Sequence, residues 1–366
     1  MQALILAGGE GTRLRPLTST VPKPVVPLVD RPFVRFMLDW LRGHGVDDVV
    51  MSCGHLGSGV RNVLGDGSAF GITLRYMEER EPLGTGGALK FAEPLLDDRF
   101  VMLNGDVLTD LDVTAQIEQH ERTGAVATLA LTPVDDPSAY GLVRTDGDGA
   151  VTEFVEKPAP DHVDTPNISA GVYVLERAVL DLLEPDQPAS IERDVFPRLV
   201  GDGLYGCVAD GYWLDIGTPE RYLEATFDIL EGTVTTPVGE RMGTTYLCVE
   251  DGVENAGRII PPGLVETGCR IGEGAKIGGR VVLEHGVTVG AGTTIEGAVV
   301  MQGTEIGENC TLSGCVVAGG VRIGDHCTID GLSVLGEGVT LGDGNMVSNG
   351  ARVFPGVTLP DGALLF

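Results

Sequence analysis

Apolar positions follow two different periods along the chain, and the change between them falls near residue 250. In the first half, short apolar runs alternate with helical spacing. Leu4-Ile5-Leu6-Ala7 has the character of a buried parallel strand that ends in Gly8-Gly9. Phe33, Phe36, Met37, Trp40 and Leu41 fall at i, i+3, i+4, i+7 and i+8, the stripe of an amphipathic helix. Val49-Val50-Met51 resumes a strand, residues 72–77 predict another, 86–96 a helix, and 100–103 a strand running into Asn104-Gly105-Asp106. Repeated strand–helix units predict an α/β domain with a mainly parallel sheet covered on both faces. Such sheets bind ligands at the carboxyl ends of their strands. The loops after Ala7, Leu103 and Trp213 are therefore where chemistry is expected.

Beyond residue 250 the step becomes six. Val253, Ile259, Val265, Ile271, Ile277, Leu283, Val289, Ile295 and Met301 keep it; it shortens by one to Ile306, returns at Leu312, and shortens again to Val317. Ile323, Ile329, Leu335, Leu341, Val347, Val353 and Leu359 complete nineteen positions. A six-residue period fits neither a helix nor a long strand but is a solenoid signal, and at three positions per turn it predicts about six turns. The pattern resembles a left-handed parallel β-helix. Glycine follows many register positions, at 272, 278, 290, 307, 324, 336 and 342, and is read as serving tight corners. The expected organisation is a catalytic domain over 1–230, a linker over 231–251 and the β-helix over 252–366.

Charge narrows the function. Fifty-three acidic residues against 25 basic ones give a net charge of −28, which repels nucleic acid and anionic membrane surfaces. A hydrophobic fraction of 43% supports a folded core, so the acid excess does not signal disorder. Seven cysteines without a CxxC pair read as reduced thiols and a cytoplasmic setting. Lysine occurs only at 23, 90, 157 and 276, and two of these fall in the motifs below. An ammonium is a compact point charge that a planar guanidinium does not replace.

The opening motif runs Leu6-Ala7-Gly8-Gly9-Glu10-Gly11-Thr12-Arg13-Leu14-Arg15-Pro16. A glycine-rich loop after a buried strand lets backbone N–H groups approach phosphates. It is neither a Walker A loop nor a dinucleotide fingerprint. Arg13 and Lys23 supply two cations, suited to charge on a reacting phosphorus or, more simply, to a turn with a charged surface. Glu81-Pro82-Leu83-Gly84-Thr85-Gly86-Gly87 is a second glycine-rich loop, Asn104-Gly105-Asp106 places a carboxylate at a strand end, Glu156-Lys157 pairs acid with base, and Asp215 precedes a helix. Two carboxylates at separate strand ends suit Mg²⁺ as well as caps or turns. The six histidines, at 44, 55, 120, 162, 285 and 326, lie outside these motifs and are read as structural.

In this order the motifs resemble the sugar-nucleotide pyrophosphorylases, the nucleoside triphosphate:sugar-1-phosphate nucleotidyltransferases, over residues 1 to about 230. Several members of that family also carry a C-terminal β-helix. The resemblance implies a Rossmann-like nucleotidyltransferase domain, the substrates nucleoside triphosphate and sugar 1-phosphate, and Mg²⁺ as cofactor. It implies that Leu6, Ala7, Gly8, Gly9, Gly11, Thr12, Glu79, Gly84, Thr85 and Gly105 bind nucleotide. Gly141, Glu156, Lys157, Asn167 and Ser169 would bind the sugar phosphate. Arg13, Lys23 and Asp106 would be catalytic, and Asp106 and Asp215 would hold the metal.

The base is read from Glu79. Guanine presents N–H donors at N1 and N2, which a carboxylate accepts together, whereas a pyrimidine N–H flanked by carbonyls suits a carboxamide. In the thymidylyl and uridylyl relatives a glutamine stands five residues before the glycine matching Gly84; here it is Glu79. The thymidylyl relatives also tend to have Lys-Gln where this chain has Lys23-Pro24. Both differences resemble mannose-1-phosphate guanylyltransferases. Against this, the Asn-Ala-Gly usual in guanylyltransferases is replaced by Asn167-Ile168-Ser169-Ala170-Gly171, so mannose, glucose and heptose stay open. The alternatives are a glucose-1-phosphate thymidylyl- or uridylyltransferase, or a non-catalytic regulatory subunit of the same fold, although such a subunit could lose Arg13, Lys23, Asp106 and Asp215. An acyltransferase β-helix using His285 or His326 would need an inserted loop, and the repeats run nearly unbroken. A solenoid with flat faces and a long apolar register predicts a homo-oligomer.

Overall fold

A computed structural model describes residues 1–54 and 57–365. Contacts divide the chain into two compact units, one of residues 1–10 and 34–213, the other of residues 11–33 and 214 onward. Among the described residues no helix is long and apolar enough to cross a membrane.

In the first unit, strand Gln2–Ala7 lies between Asp48–Cys53 and Arg99–Asn104, parallel to both, and Thr73–Glu78 extends the parallel set. Strands Gln2–Ala7, Arg99–Asn104 and Thr73–Glu78 lead into the first glycine-rich loop, the Asn104-Gly105-Asp106 turn and the second glycine-rich loop, so these three share one edge of the sheet. The other half is antiparallel. Strand Asn167–Glu176 runs against Arg99–Asn104, Ala127–Pro133 and Gly141–Thr145, and Val151–Glu156 runs against Gly141–Thr145. The sheet is thus a parallel core with an antiparallel wing, to which Leu204–Val208 adds a parallel strand beside Ala127–Pro133.

Helix Val34–Gly43 buries Val34, Phe36, Met37, Leu38 and Leu41; of the expected stripe, Phe33 is buried just ahead of the helix and Trp40 only partly. Helix Val113–Thr123 starts where the Asp112 side chain accepts the Ala115 N–H and ends at Gly124, whose φ of 62° suits a residue without Cβ. Leu4, Val50, Phe100, Met102, Tyr173 and Phe196 share the core. Of the histidines, His55 lies outside the described residues. His120 is buried between Thr128 and Glu176, and burial holds its pKa below the usual imidazole range. All seven cysteines are free thiols.

In the second unit the hexad positions point inward along three parallel sheets of seven, seven and six strands, the arrangement of a left-handed β-helix. One register position differs from expectation. Val300, not Met301, joins the interior, because the first shortening of the step comes earlier, after the turn at Gly297 with φ 54°. Leu283 pairs with Val300 and Val300 with Val317, each a turn one residue shorter than the pairing of Val265 with Leu283.

The glycines also do something other than expected. Gly272 is not in the left-handed region; a Cβ there would stand 2.7 Å from the Ala291 nitrogen and 2.9 Å from the Gly290 carbonyl carbon of the next turn. Close stacking of turns excludes the side chain at this position. The backbone conformation that favours glycine occurs two residues on, at Gly274 with φ 71°. Residues 231–251 contain helix Pro237–Met242 and strand Leu247–Val249, which pairs with Gly263–Val265 as the first rung of its sheet.

Candidate active site

The site residues divide between the two units. In the first unit, Leu6 and Ala7 close their strand at the sheet edge, with Leu6 level with Ser52 and Asn104. The Gly105 N–H donates to the Leu6 carbonyl at 2.9 Å, and a Cβ on Gly105 would collide with that same carbonyl. Glycine at 105 is therefore what lets the Asp106 turn approach the first loop. At Gly8 a Cβ would sit 3.3 Å from Glu79 Oε1, whereas at Gly9 it would meet nothing within 4 Å. Nothing among the described residues requires glycine at 9.

Glu79 is only 7% exposed. Its Oε1 accepts the Ser52 hydroxyl at 2.8 Å and its Oε2 accepts the Leu83 N–H at 3.2 Å. The carboxylate thus ties the second glycine-rich loop to the neighbouring strand, and it is not a solvated surface charge. Gly84 has φ 70°, and a Cβ there would stand 2.6 Å from the Ala189 carbonyl oxygen. The Thr85 hydroxyl donates to Glu192 Oε2 at 2.7 Å and accepts the Ile191 N–H at 3.0 Å, so this side chain braces the loop, and what Thr85 offers outward is backbone.

Gly141 and Glu156 are partners across antiparallel strands. A Cβ at Gly141 would lie 2.8 Å from the Phe154 ring and 3.2 Å from Glu156 Oε2, so Gly141 keeps the carboxylate close to bare backbone. Burial first, and then the negative charge of Glu192, raise the Glu156 pKa above the ordinary range, opposed by Lys157 and Arg193. Lys157 is exposed, holds φ 51° and donates its backbone N–H to the Tyr140 carbonyl at 2.9 Å. Such a φ is uncommon for a residue with a Cβ and turns the chain directly after Glu156. Asn167 and Ser169 sit two apart on one strand, hence on one face, and the Ser169 hydroxyl donates to the Tyr173 hydroxyl at 3.3 Å. Trp213 donates its indole N–H to the Ala170 carbonyl at 2.7 Å and meets Tyr140 edge-on at 5.3 Å.

The second unit holds Gly11, Thr12, Arg13, Lys23 and Asp215. Gly11 has φ 61°, and its carbonyl accepts both the Leu14 N–H at 2.9 Å and the Thr18 hydroxyl at 2.8 Å. Those bonds fold Thr12–Leu14 into a single 3₁₀ turn. A Cβ at Gly217 would stand 2.7 Å from Arg13 Nη2, so the guanidinium lies against bare backbone two residues after Asp215. Thr218 then caps helix Pro219–Glu231 by accepting the Arg221 N–H. The stem of Lys23 lines a small apolar cavity with Leu14, Val26, Ile216 and Tyr222.

The nucleotidyl transferase family model matches residues 2–232, and the GMPPB C-terminal domain matches residues 259–361. The chain belongs to the nucleotidyl transferase family. It is 37% identical to a mannose-1-phosphate guanylyltransferase of Mycobacterium tuberculosis, over all of this chain and 98% of that protein. It is 33% identical to a UTP–glucose-1-phosphate uridylyltransferase of Synechocystis, over 78% of this chain and 83% of that one. Among solved structures, HddC from Yersinia pseudotuberculosis complexed with GMP-PN superposes with a TM-score of 0.53 at 31% identity, over 62% of this chain and 97% of that one. This nucleotidyl transferase is therefore a sugar-1-phosphate nucleotidyltransferase.

Three residues beside the candidate site residues were not singled out in the sequence. Glu192 and Arg193 flank Glu156 electrostatically from a single π-helical turn, Ile191–Val195, a feature common at functional sites. Their only signal was Ser190 followed by charged residues, which reads as an ordinary helix start. Gly217 had no signal beyond the motif around Asp215, because its partner Arg13 is remote in sequence.

Proposed function

We propose that this nucleotidyltransferase transfers a guanylyl group from GTP to mannose 1-phosphate, forming GDP-mannose and releasing pyrophosphate. A phosphate oxygen of the sugar 1-phosphate attacks the α-phosphorus, and the bond from that phosphorus to the β-phosphate bridging oxygen breaks. The backbone of Leu6, Ala7, Gly8 and Gly9, with Gly11 and Thr12, would take the nucleotide, and the open space at Gly9 favours close approach of a phosphate. Arg13 and Lys23 would neutralise charge developing on the phosphates. Glu156 and the Gly141 backbone would take sugar hydroxyls, Lys157 the sugar phosphate, and Asn167 and Ser169 the remaining hydroxyls.

Mg²⁺ suits the donor set. Among the described residues no group of three or more His, Cys, Asp or Glu side chains is arranged to hold a metal. An ion that arrives with a triphosphate needs only one or two carboxylates, and Asp106 and Asp215 are assigned that role. Asn104 adds a buried Oδ1 without a hydrogen-bond partner among the described residues, beside the Asp106 turn. When bound, such an ion offsets phosphate charge.

The observation that carries the guanine assignment is the buried Glu79 carboxylate, fixed by two donors and aimed beside Gly8. The three flat parallel sheets of the solenoid support a homo-oligomer, which light scattering would test. The function is tested by pyrophosphate release from GTP, dTTP, UTP and ATP, each with mannose, glucose or heptose 1-phosphate. Fastest turnover with GTP and mannose 1-phosphate supports the proposal. Preference for dTTP or UTP with glucose 1-phosphate replaces it with the pyrimidine reading, and no turnover with any pair indicates a regulatory subunit.

A further inference from the structure

The strap of residues 11–33, which carries Arg13 and Lys23, folds into the same unit as the solenoid, and solenoid side chains hold it. Arg352 Nη1 donates to the Arg15 carbonyl at 2.7 Å and the Arg13 carbonyl at 3.2 Å. One turn earlier, Glu337 Oε2 accepts the Thr20 hydroxyl at 2.8 Å. Arg352 directly precedes the register position Val353, which pairs with Leu335, and its side chain reaches the strap, whereas Arg322 at the equivalent place on another rung pairs with Glu305 of the preceding one. The bonds within the 3₁₀ turn Thr12–Leu14 are accepted by the Gly11 and Thr12 carbonyls, and the Arg13 and Arg15 carbonyls at its end are the ones that Arg352 meets. Arg13 is thereby fixed twice, at its backbone by Arg352 and at its guanidinium by the bare backbone of Gly217.

We propose that Arg352 is a positioning residue for nucleotidyl transfer: by holding the Arg13 and Arg15 carbonyls, the β-helix sets the direction of the Arg13 guanidinium. This rests on the reading of Arg13 as the group that meets the triphosphate. Charge-assisted bonds are the stronger kind, and misplacing a reacting or stabilising group by about 1 Å costs up to roughly 100-fold in rate. The solenoid then contributes to turnover at each site as well as to architecture.

The test uses the full chain and three variants. Arg352→Met removes both bonds; Arg352→Lys keeps a cation that reaches one carbonyl; Arg322→Met removes an exposed arginine of another rung that pairs only loosely with Glu305. Turnover and the exchange of the Leu14 and Ser19 amides are measured together, the second readout being independent of activity. Both amides close turns inside the strap, onto Gly11 and Pro16. Arg352→Met is expected to lower kcat by about ten-fold, to leave the KM for sugar 1-phosphate within about two-fold, and to speed exchange of both amides. Arg352→Lys falls between, and Arg322→Met matches the wild type. Unchanged kcat in Arg352→Met overturns the proposal whether or not the strap loosens, and so does an equal loss in Arg322→Met. A wild-type chain that transfers no nucleotide to any sugar phosphate refutes the reading of the site itself, before any variant is compared, and the inference falls with it.

Discussion

The Ser52 hydroxyl donates to Glu79 Oε1 at 2.8 Å in a setting where Ser52 is fully buried and Glu79 nearly so. With the Leu83 N–H on the other oxygen, the carboxylate has a fixed direction, yet each oxygen keeps a further lone pair. A group held in this way is an acceptor that needs no reorganisation when a donor arrives. It is also a structural tie. Replacing Glu79 by alanine leaves two donors unsatisfied at about 1–3 kcal/mol each, so the variant should be destabilised by at least that amount in denaturant unfolding.

The metal assignment predicts that Asp106→Asn and Asp215→Asn each abolish most turnover while leaving the unfolding midpoint near that of the wild type. Each change removes an anionic oxygen at nearly constant shape. Near-normal activity at ordinary Mg²⁺ in either variant shows that its aspartate is not a ligand.

The stacking of turns predicts opposite tolerance at two neighbouring glycines. Gly272→Ala places a methyl group 2.7 Å from the Ala291 nitrogen and should cost about 1–3 kcal/mol, as overpacking does. Gly274→Asn keeps a residue that tolerates φ 71° and meets no atom within 4 Å, so it should be close to neutral. Thermal unfolding of both variants checks the contrast.

Glu284 predicts a pH dependence of stability. It is buried on the solenoid; its Oε2 accepts the Gln302 N–H and its Oε1 has no partner among the described residues. Burial, with Glu266 and Asp30 nearby, pushes its pKa up to about 8. The folded chain then keeps a proton that the unfolded chain loses from about pH 4.5. Its stabilising effect is complete below that pH, falls as the pH rises, and is gone once the native group ionises at about 8. Glu284→Gln should flatten stability over this window while preserving the bond from Gln302. An unchanged slope in the variant assigns the dependence elsewhere.

The strand runs and the hexad step were legible because burial dictates them locally: one period for a sheet core, another for a triangular solenoid. Glu79, Asp106 and Glu156 were legible because motifs place them at strand ends. What stayed hidden depends on partners remote in sequence. Arg352 reads as one more polar outward position until the carbonyls of Arg13 and Arg15 stand beside it. Met301 and Val300 are both apolar, and only the turn at Gly297 decides which of them faces inward. The seven register glycines carry a clear signal, yet at Gly272 the cause is contact between turns, which a linear pattern does not distinguish from a corner.

If Glu79 reads guanine, Glu79→Gln changes which base the site accepts. The amide keeps both structural ties, its oxygen accepting the Leu83 N–H and its NH₂ donating to the Ser52 hydroxyl. The fold is thus preserved while one acceptor becomes a donor facing the guanine hydrogens. The measurement is kcat/KM for GTP, UTP and dTTP with one sugar phosphate in wild type and variant. The value for GTP is expected to fall by about ten-fold or more, and that for UTP or dTTP to rise relative to it. Unchanged nucleotide ratios in a stably folded variant would contradict the reading of guanine by Glu79.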